Sequence, residues 1–393
     1  MSRIHIFEVD KNTQEMLDSL LRKVNTFFPN HNKTCLRNIL ILCLAILQKE
    51  TVCLNRLKTG LGSITGKPLT KSSSNYKRLI RIFDYHAFSS LWLDLLKYVF
   101  LLLRLKTDYL LLDGTSWKHG NRWYHYITLC VVYQGVAIPI YWLDLHKHGT
   151  SNFKERKRLF NKAIRHFKLK EKTLIADREY IGKEWFKFLT DKGINFVIRS
   201  KSNAYKADIN TAAGKTLSAM VKKVMRSRVP DKAVRKAFFL NGIKLYIVVV
   251  KNSKKNAKEP YLLLITNMDK PAVTIAAIYP IRWKIEHCFK HLKSNGFCLE
   301  TINLKGSARQ HLLMAVMVFA YVLSIVEGLK IYDTVAIKEY HKEKRQGKAE
   351  SIFRAGINQL AQYCTNLICF CKFISDSIKL AVSGYRSANL LNV

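Results

Sequence analysis

Acidic residues are scarce in this chain, and three of them stand where they could do chemistry. The 393 residues hold 66 Lys and Arg against 28 Asp and Glu, a formal net charge of +38. Asp113 closes the apolar run "TDYLLLD", Asp177 closes "KTLIAD", and Glu286 lies within "YPIRWKIEHCFKHLKSNGF", residues 279–297. That last stretch is spaced Tyr279-x2-Arg282-x3-Glu286-x6-Lys293. No Pro or Gly interrupts it between Ile281 and Asn295, which predicts a helix there. At about 100° per residue, Arg282, Glu286 and Lys293 then fall within roughly 40° of one another, and Tyr279 joins them if the helix starts early enough. Ile285, Phe289 and Leu292 make an adjacent apolar stripe, so the polar stripe borders a buried face.

A strand-end Asp, a second strand-end Asp and a helix Glu could converge on one pocket, since ligands and catalytic groups of α/β sheets collect at strand ends. Three such carboxylates repel and raise each other's pKa unless cations share the site. Their hard oxygens suit a pair of Mg²⁺ ions. Two metals about 3.5–4 Å apart stabilise both the attacking and the leaving oxygen of phosphodiester chemistry. Each residue also has a plainer reading. Either Asp could be a turn or helix cap. Arg282 and Glu286 could be a surface i,i+4 pair, worth about 0.3–0.5 kcal/mol.

The charge balance bears on that choice. A field of +38 raises encounter rates with polyanions and self-repels without them, so nucleic acid is the expected partner. A non-catalytic basic binder would share it. Apolar residues make up 48% and charged residues 24%, a globular composition, and the length suggests two or three domains. The longest apolar run, Leu312 to Val326, falls short of the roughly 18–20 residues that span a bilayer, which reads as a buried core helix and no membrane role. "MSRIHIFEVDKN" has no signal-peptide core, so a cytoplasmic location is expected. The 9 cysteines are scattered, and Cys364, Cys369 and Cys371 read as buried thiols in preference to a zinc site.

The elements that must position the acids follow from periodicity. Residues 11–103 read as helical. Within them "TGLGSITGKPLTKSSSNYKRLIRIF" breaks the pattern, and Ser73 or Ser74 caps a helix carrying Lys77, Arg78 and Arg81. That suits a helix-turn-helix-like DNA reader or a plain helical bundle, with neither favoured. From Thr107 the order becomes β-β-β-α-β-α-β, a mixed sheet with helices packed on it and Gln134-Gly135 as its first hairpin turn. Residues 199–258 carry 16 Lys and Arg against 2 Asp, with Asn241-Gly242 as a second hairpin turn, and read as a basic β-rich insertion. "PYLLLITN" returns to the sheet ahead of the Tyr279 helix.

"LLLDGTSW", "IADREY" and "YPIRWKIEHCFKHLK" together resemble the bacterial insertion-sequence DDE transposases of the YREK type, the insertion-sequence-four family. The likeness runs from about Thr107 to Glu327. It implies a ribonuclease-H-like α/β core interrupted by a β-rich insertion before the Glu helix. It also implies a division into a helical DNA-binding domain (1–105), a first core part (106–198), the insertion (199–258), a second core part (259–330) and a helical C-terminal region (331–393) that could dimerise. By the same resemblance Asp113, Asp177 and Glu286 are the catalytic, metal-binding triad, loaded with two Mg²⁺ ions for which Mn²⁺ can substitute. Tyr279, Arg282 and Lys293 would hold phosphates of the transposon end, and Arg178 would help to position DNA. Lys222, Lys223, Arg226 and Arg228 of the insertion are expected to contact duplex phosphates. The implied partners are double-stranded DNA, both terminal inverted repeats and target, and a second copy of the chain in a synaptic complex. The implied activity is cut-and-paste transposition. A decayed, non-catalytic DNA binder and a hydrolysis-only nuclease of the same fold are the alternatives. One departure stands out: no Trp lies between Trp185 and Trp283 to stack a flipped base, leaving Tyr205, Phe238, Phe239 or Tyr246 for that task.

Overall fold

The computed structural model describes residues 9, 11–86, 88–103, 107–147, 149–252, 259–340 and 345–377. It opens with five helices, α1 (Lys11–Val24), α2 (Lys33–Lys49), α3 (Leu54–Ile64), α4 (Ser72–His86) and α5 (Leu91–Leu103). α4 begins at Ser72, ahead of the expected serine caps. The sheet region follows as β1 (Tyr109–His119), β2 (Arg122–Tyr133), β3 (Val136–Asp144), α6 (Phe153–His166), β4 (Thr173–Ala176), α7 (Lys183–Asp191) and β5 (Asn195–Arg199). Next come α8 (Lys206–Thr211), α9 (Leu217–Met225), β6 (Ala233–Leu240), β7 (Ile243–Lys251), β8 (Tyr261–Thr266), α10 (Ala272–Ile278) and α11 (Trp283–Leu292). The chain ends in α12 (Ser307–Ile331), a small hairpin of β9 (Ile337–Tyr340) and β10 (Arg345–Lys348), and α13 (Ile352–Tyr363).

Two compact units result, Lys106–Phe289 and the pair of segments Met1–Leu105 and Lys290–Val393. The division falls inside α11, so of the expected second core part only residues up to Phe289 join the sheet unit, and the rest joins the helical one.

In the sheet unit the described strands form one mixed sheet ordered β3-β2-β1-β4-β5-β8-β7-β6. Both expected hairpin turns are present. Gln134 and Gly135, like Asn241 and Gly242, all have positive φ, the geometry of a two-residue turn that matches strand twist. The expected insertion is half helical: α8 and α9 come first, and β6 and β7 then extend the same sheet through β8. Residues 253–258 of that segment lie outside the described residues.

β1 does not end at Asp113. It runs on to His119 in antiparallel register with β2. The continuation is held by side chains: Trp117 is buried and stacks on Tyr124 and Tyr126, with centroids 5.3 and 5.6 Å away. Only the parallel pairing of β1 with β4 stops near the acid, at Leu112 opposite Ala176.

In the helical unit α12 is the central rod, packed by α2, α5 and α13. Its 25 residues make it longer than the uninterrupted apolar run suggested. By length and composition it could cross a membrane, as could up to three spans if each bent helix pair counts as one, among the described residues. The run read from sequence stops at Glu327, but that residue is buried, pairs with Lys330 at 2.7 Å and does not end the helix, whose apolar middle is buried inside the protein. α13 approaches so closely at Gly328 and Gly356 that a Cβ on either would collide with backbone of the other helix. Of the C-terminal region expected over 331–393, residues 378–393 lie outside the described residues.

Candidate active site

Strand register brings two of the three acids together. Asp113 and Asp177 are the residues that follow the last parallel pair, Leu112 and Ala176, on neighbouring strands. Adjacent strands lie about 4.8 Å apart, so the two carboxylates leave the sheet side by side. β5 extends the pattern. Ala176 stands opposite Ile198, which sets Arg199 beside Asp177, with Nη1 3.8 Å from Oδ1.

The third acid arrives on α11, by a route the sequence pattern did not show. Pro280 starts a 3-10 turn, Tyr279–Arg282, and the α-helix begins only at Trp283. Arg282 is therefore the last residue of that turn, and its side chain is buried, 8% exposed. One guanidinium then reaches two carboxylates. Nη2 donates to Glu286 Oε1 at 2.7 Å, and Nη1 lies 3.7 Å from Asp113 Oδ2. Glu286 sits in the first turn of α11, where the helix dipole favours an anion. The buried face beneath it is Ile285, Cys288 and Leu292, with Phe289 only half-buried. The hydroxyl of Tyr279 donates to Asp177 Oδ1 at 3.2 Å. Burial first, and then Asp177, push that phenol up to about 12.

Asp113 is the most perturbed of the acids. Burial pushes its carboxyl up to about 7, and Glu179 and Asp177 add to the shift. The backbone N–H of Gly114, which donates to Oδ1 at 2.8 Å, and Arg282 oppose it. For Arg282, burial favours the neutral form, but Tyr279, Asp177 and Glu286 outweigh it and hold the guanidinium above its ordinary value.

The donor chemistry suits a hard divalent cation: carboxylate oxygens, one of them on a group that burial, and then its acidic neighbours, make reluctant to ionise. The arrangement departs from a preformed metal cage. Among the described residues no three acidic, His or Cys side chains stand together as a ligand set. Arg282 supplies the positive charge between Asp113 and Glu286.

Two cavities border this cluster. One, of about 1070 Å³, is rimmed by Arg199, Lys251, Glu259, Tyr279, Arg282 and Trp283 over an apolar floor that includes Leu264. A smaller one, of about 270 Å³, is lined by Asp113, Ser116, Trp123, His125, Lys147 and Glu179.

A transposase DDE-domain family model matches residues 104–323, more than half of the chain. The chain belongs to the transposase DDE-domain family. No curated protein matches it. A cryo-EM structure described as the piggyBac transposase synaptic complex with hairpin DNA is similar at a TM-score of 0.46 and 12% identity, over 96% of this chain and 80% of that one. The eight-stranded mixed sheet lies wholly within the residues that the family model matches and is the ribonuclease-H-like core of that DDE domain.

Within this DDE chain the other expected residues are dispersed. Arg178, first in a 3-10 turn after Asp177, is half exposed and pairs with Glu259 at 3.0 Å. Lys293 follows α11 and belongs to the helical unit, where it pairs with Glu300 at 3.5 Å. Lys222 and Lys223 end α9, and Arg226 and Arg228 follow it. All four are exposed, and none makes an ion pair among the described residues. Of the candidate base-stacking rings, Phe238 and Tyr246 are buried and Tyr205 is half-buried, while Phe239 is 64% exposed on the edge strand β6.

Three residues at the cluster were not singled out from sequence. Arg199 was legible in principle, because it is the basic residue ending the strand next to the one that ends at Asp177. Glu179 lies two residues past Asp177 in a chain poor in acid, and that scarcity was its signal. Glu259 pairs with both Arg178 and Arg199, and no sequence spacing links it to either.

Proposed function

We propose that this chain is a cut-and-paste DNA transposase of the YREK type, with Asp113, Asp177 and Glu286 as its catalytic acids. The observation that carries the reading is the register of β1 and β4. It sets Asp113 beside Asp177 in a chain of the DDE family, and Arg282 ties Asp113 to Glu286. The three acids would hold two Mg²⁺ ions, with Mn²⁺ as a substitute, and Glu286 must leave Arg282 for the ions to be shared. When bound, the metal would supply charge to the phosphoryl group in transfer.

The chain's own groups do the rest by positioning and electrostatics. Tyr279 orients the Asp177 carboxylate through its hydroxyl. Arg282, freed from Glu286, and Arg178, freed from Glu259, would take phosphate oxygens, Arg as a planar fork. Water adds to the phosphorus at the element end, the P–O3′ bond breaks, and the leaving oxygen takes a proton to become a 3′-OH. That 3′-OH attacks a phosphodiester of the opposite strand, whose P–O3′ bond breaks to release the flanking DNA with its own 3′-OH and leave a hairpin. Water reopens the hairpin and frees the 3′-OH again, and this attacks a target phosphodiester as the target's P–O3′ bond breaks. The two hydrolyses run downhill and the two strand exchanges each trade one phosphodiester for another, so no nucleotide cofactor is needed. Phe239 is the ring best exposed to stack a displaced base. Lys293 and the basic helix α4, with Lys77 and Arg81 exposed, would hold further parts of the element end. Two copies of the chain would join the ends.

The full-length chain, its flanking inverted repeats and Mg²⁺ should yield nicked ends, hairpins and joined products. Glu286→Gln should abolish cleavage and retain end binding, because it removes a metal ligand and not a DNA contact. Cleavage near the wild-type rate in that variant excludes Glu286 from the catalytic set.

A non-catalytic DNA binder draws on one observation, that no three ligand-type side chains stand together among the described residues. It predicts no cleavage by the wild type with either metal.

A further inference from the structure

The outer face of α6 is a surface of like charge that the reading above leaves unused. The helix begins with a complete capping box. Asn152 Oδ1 accepts from the Glu155 N–H at 3.0 Å, and Glu155 Oε2 accepts from the Asn152 N–H at 2.7 Å. Its apolar side, Leu159, Phe160 and Ala163, is fully buried, and Arg156 turns inward to Ser151 and to the Glu179 carbonyl. With that side fixed, Lys154, Lys157, Arg158, Lys162 and Arg165 fall within an arc of about 140° on the other. Lys154, Lys157, Arg158 and Arg165 are exposed and Lys162 is half-buried.

The five cations line one shallow groove of about 380 Å³ with Asn161, and no carboxylate lines it. Among the described residues none of the five makes an ion pair. Burial, and then Arg158 and Arg165, lower the amine of Lys162. The acid of the helix itself, Glu155, pairs with Lys147 at 2.8 Å. A face like this repels itself unless a polyanion covers it. Lys154 to Arg165 spans about 16 Å along the helix axis, a length matching about five base pairs of duplex at 3.4 Å each.

The chemistry of the face also says which DNA it fits. Phosphate contacts position a duplex and carry no sequence information, whereas base edges are read by groups such as Asn, Gln or bidentate Arg in a groove. α6 offers three Lys point charges, two Arg and one Asn, and its five cations spread over about 140° of the helix surface, a layout suited to tracking phosphates more than to reading one short row of base edges. A transposase must recognise its own ends by sequence and must accept a target whatever its sequence. We propose that the outer face of α6 is a sequence-independent track for the backbone of target DNA. This rests on the transposase reading above.

The test uses the full-length chain with Lys154, Lys157, Arg158, Lys162 and Arg165 all changed to Gln, and a second variant with only Arg158→Glu and Lys162→Glu. Binding to a random-sequence duplex is measured against salt. Each lost phosphate contact should flatten the slope of log K against log salt by about 0.9, so the five-fold variant should lose about 2–4 units. With pre-cleaved element ends, joining to a random target should fall about 10-fold or more, while cleavage of intact ends stays near wild type. An unchanged slope in both variants, with far-UV circular dichroism and melting as in the wild type, overturns the proposal. Equal losses on element ends and on random duplex also overturn it, since the face would then serve the ends. If the wild type itself neither cleaves nor joins, the transposase reading fails, and the salt slope still decides whether α6 binds duplex DNA.

Discussion

Asp113→Asn, measured without metal, tests the electrostatics of the candidate site directly. The Asp113 carboxyl is pushed up to about 7 from an ordinary 3.8, chiefly by burial. A raised folded-state pKa on an acid means that the protonated form folds more readily. Its contribution is intact below the unfolded value and is lost as pH rises towards the folded one. Between about pH 5 and about pH 8 the wild type should lose about two pH units' worth, at 1.36 kcal/mol per unit, or up to about 3 kcal/mol. The side chain is 21% exposed and Arg282 lies 3.7 Å away, so a measured loss nearer to 1–2 kcal/mol is expected. Asn resembles the protonated acid and does not titrate. The assay is denaturant unfolding of both proteins in chelator at the two pH values. The stability of Asp113→Asn relative to the wild type should rise by that amount from the lower pH to the higher. Mg²⁺ at the higher pH should then stabilise the wild type more than the variant. A gap that stays constant across the range would refute the buried, acid-crowded environment assigned to Asp113.

Arg282→Ala leaves Asp113 and Glu286 without their shared cation and should cost about 2–4 kcal/mol in chelator, with Mg²⁺ recovering more of that loss than it adds to the wild type; calorimetry with and without metal reads this. Neutralising Lys222, Lys223, Arg226 and Arg228 together should flatten the salt slope of binding to element ends by up to about 3–4 units, because these exposed cations have no competing acids. In the helical unit, Gly328→Ala or Gly356→Ala should lower stability by about 2–4 kcal/mol, since each added Cβ meets backbone that has no side chain to swing away. Thermal melting reports it, and a melt within a degree or two of wild type would contradict the close approach of α12 and α13.

Much of the fold was legible because its elements are locally consistent. "RWYHYITLCVVY" and "GVAIPIYWLD" alternate or saturate with β-formers on either side of a Gln-Gly turn, and they form β2 and β3 around it. The helical start, the order through β5 and the Asn241-Gly242 hairpin follow from the same signals. The end of β1 was misread because "TDYLLLD" stops being apolar at Asp113, while the force that continues the strand is a cross-strand stack of Trp117 on Tyr124 and Tyr126. The content of 199–258 was half missed because α8 and α9 are short and rich in Lys. α12 was underestimated because its apolar run stops at Glu327, whose charge is paired with Lys330 within the helix and so does not end it.

At the candidate site, spacing alone picked out residues that the structure brings near one another, but in a different geometry. A uniform helix from Ile281 would place Arg282 and Glu286 as an ordinary i,i+4 pair at the edge of solvent, worth little. Pro280 instead enforces a 3-10 turn, and Arg282 becomes buried beneath the start of α11. Burying a guanidinium is costly unless it is paired, so it draws in whatever carboxylates are within reach. Glu286 and Asp113 are those carboxylates, and Tyr279 from the same turn takes Asp177. The turn therefore gathers all three acids through its own polar groups. The same contacts set the condition for loading. A metal shared by Asp113 and Glu286 has to displace Arg282 from Glu286, and the displaced guanidinium needs another anion. A DNA phosphate at the neighbouring cavity is such an anion, so metal binding and DNA binding at this site should favour each other.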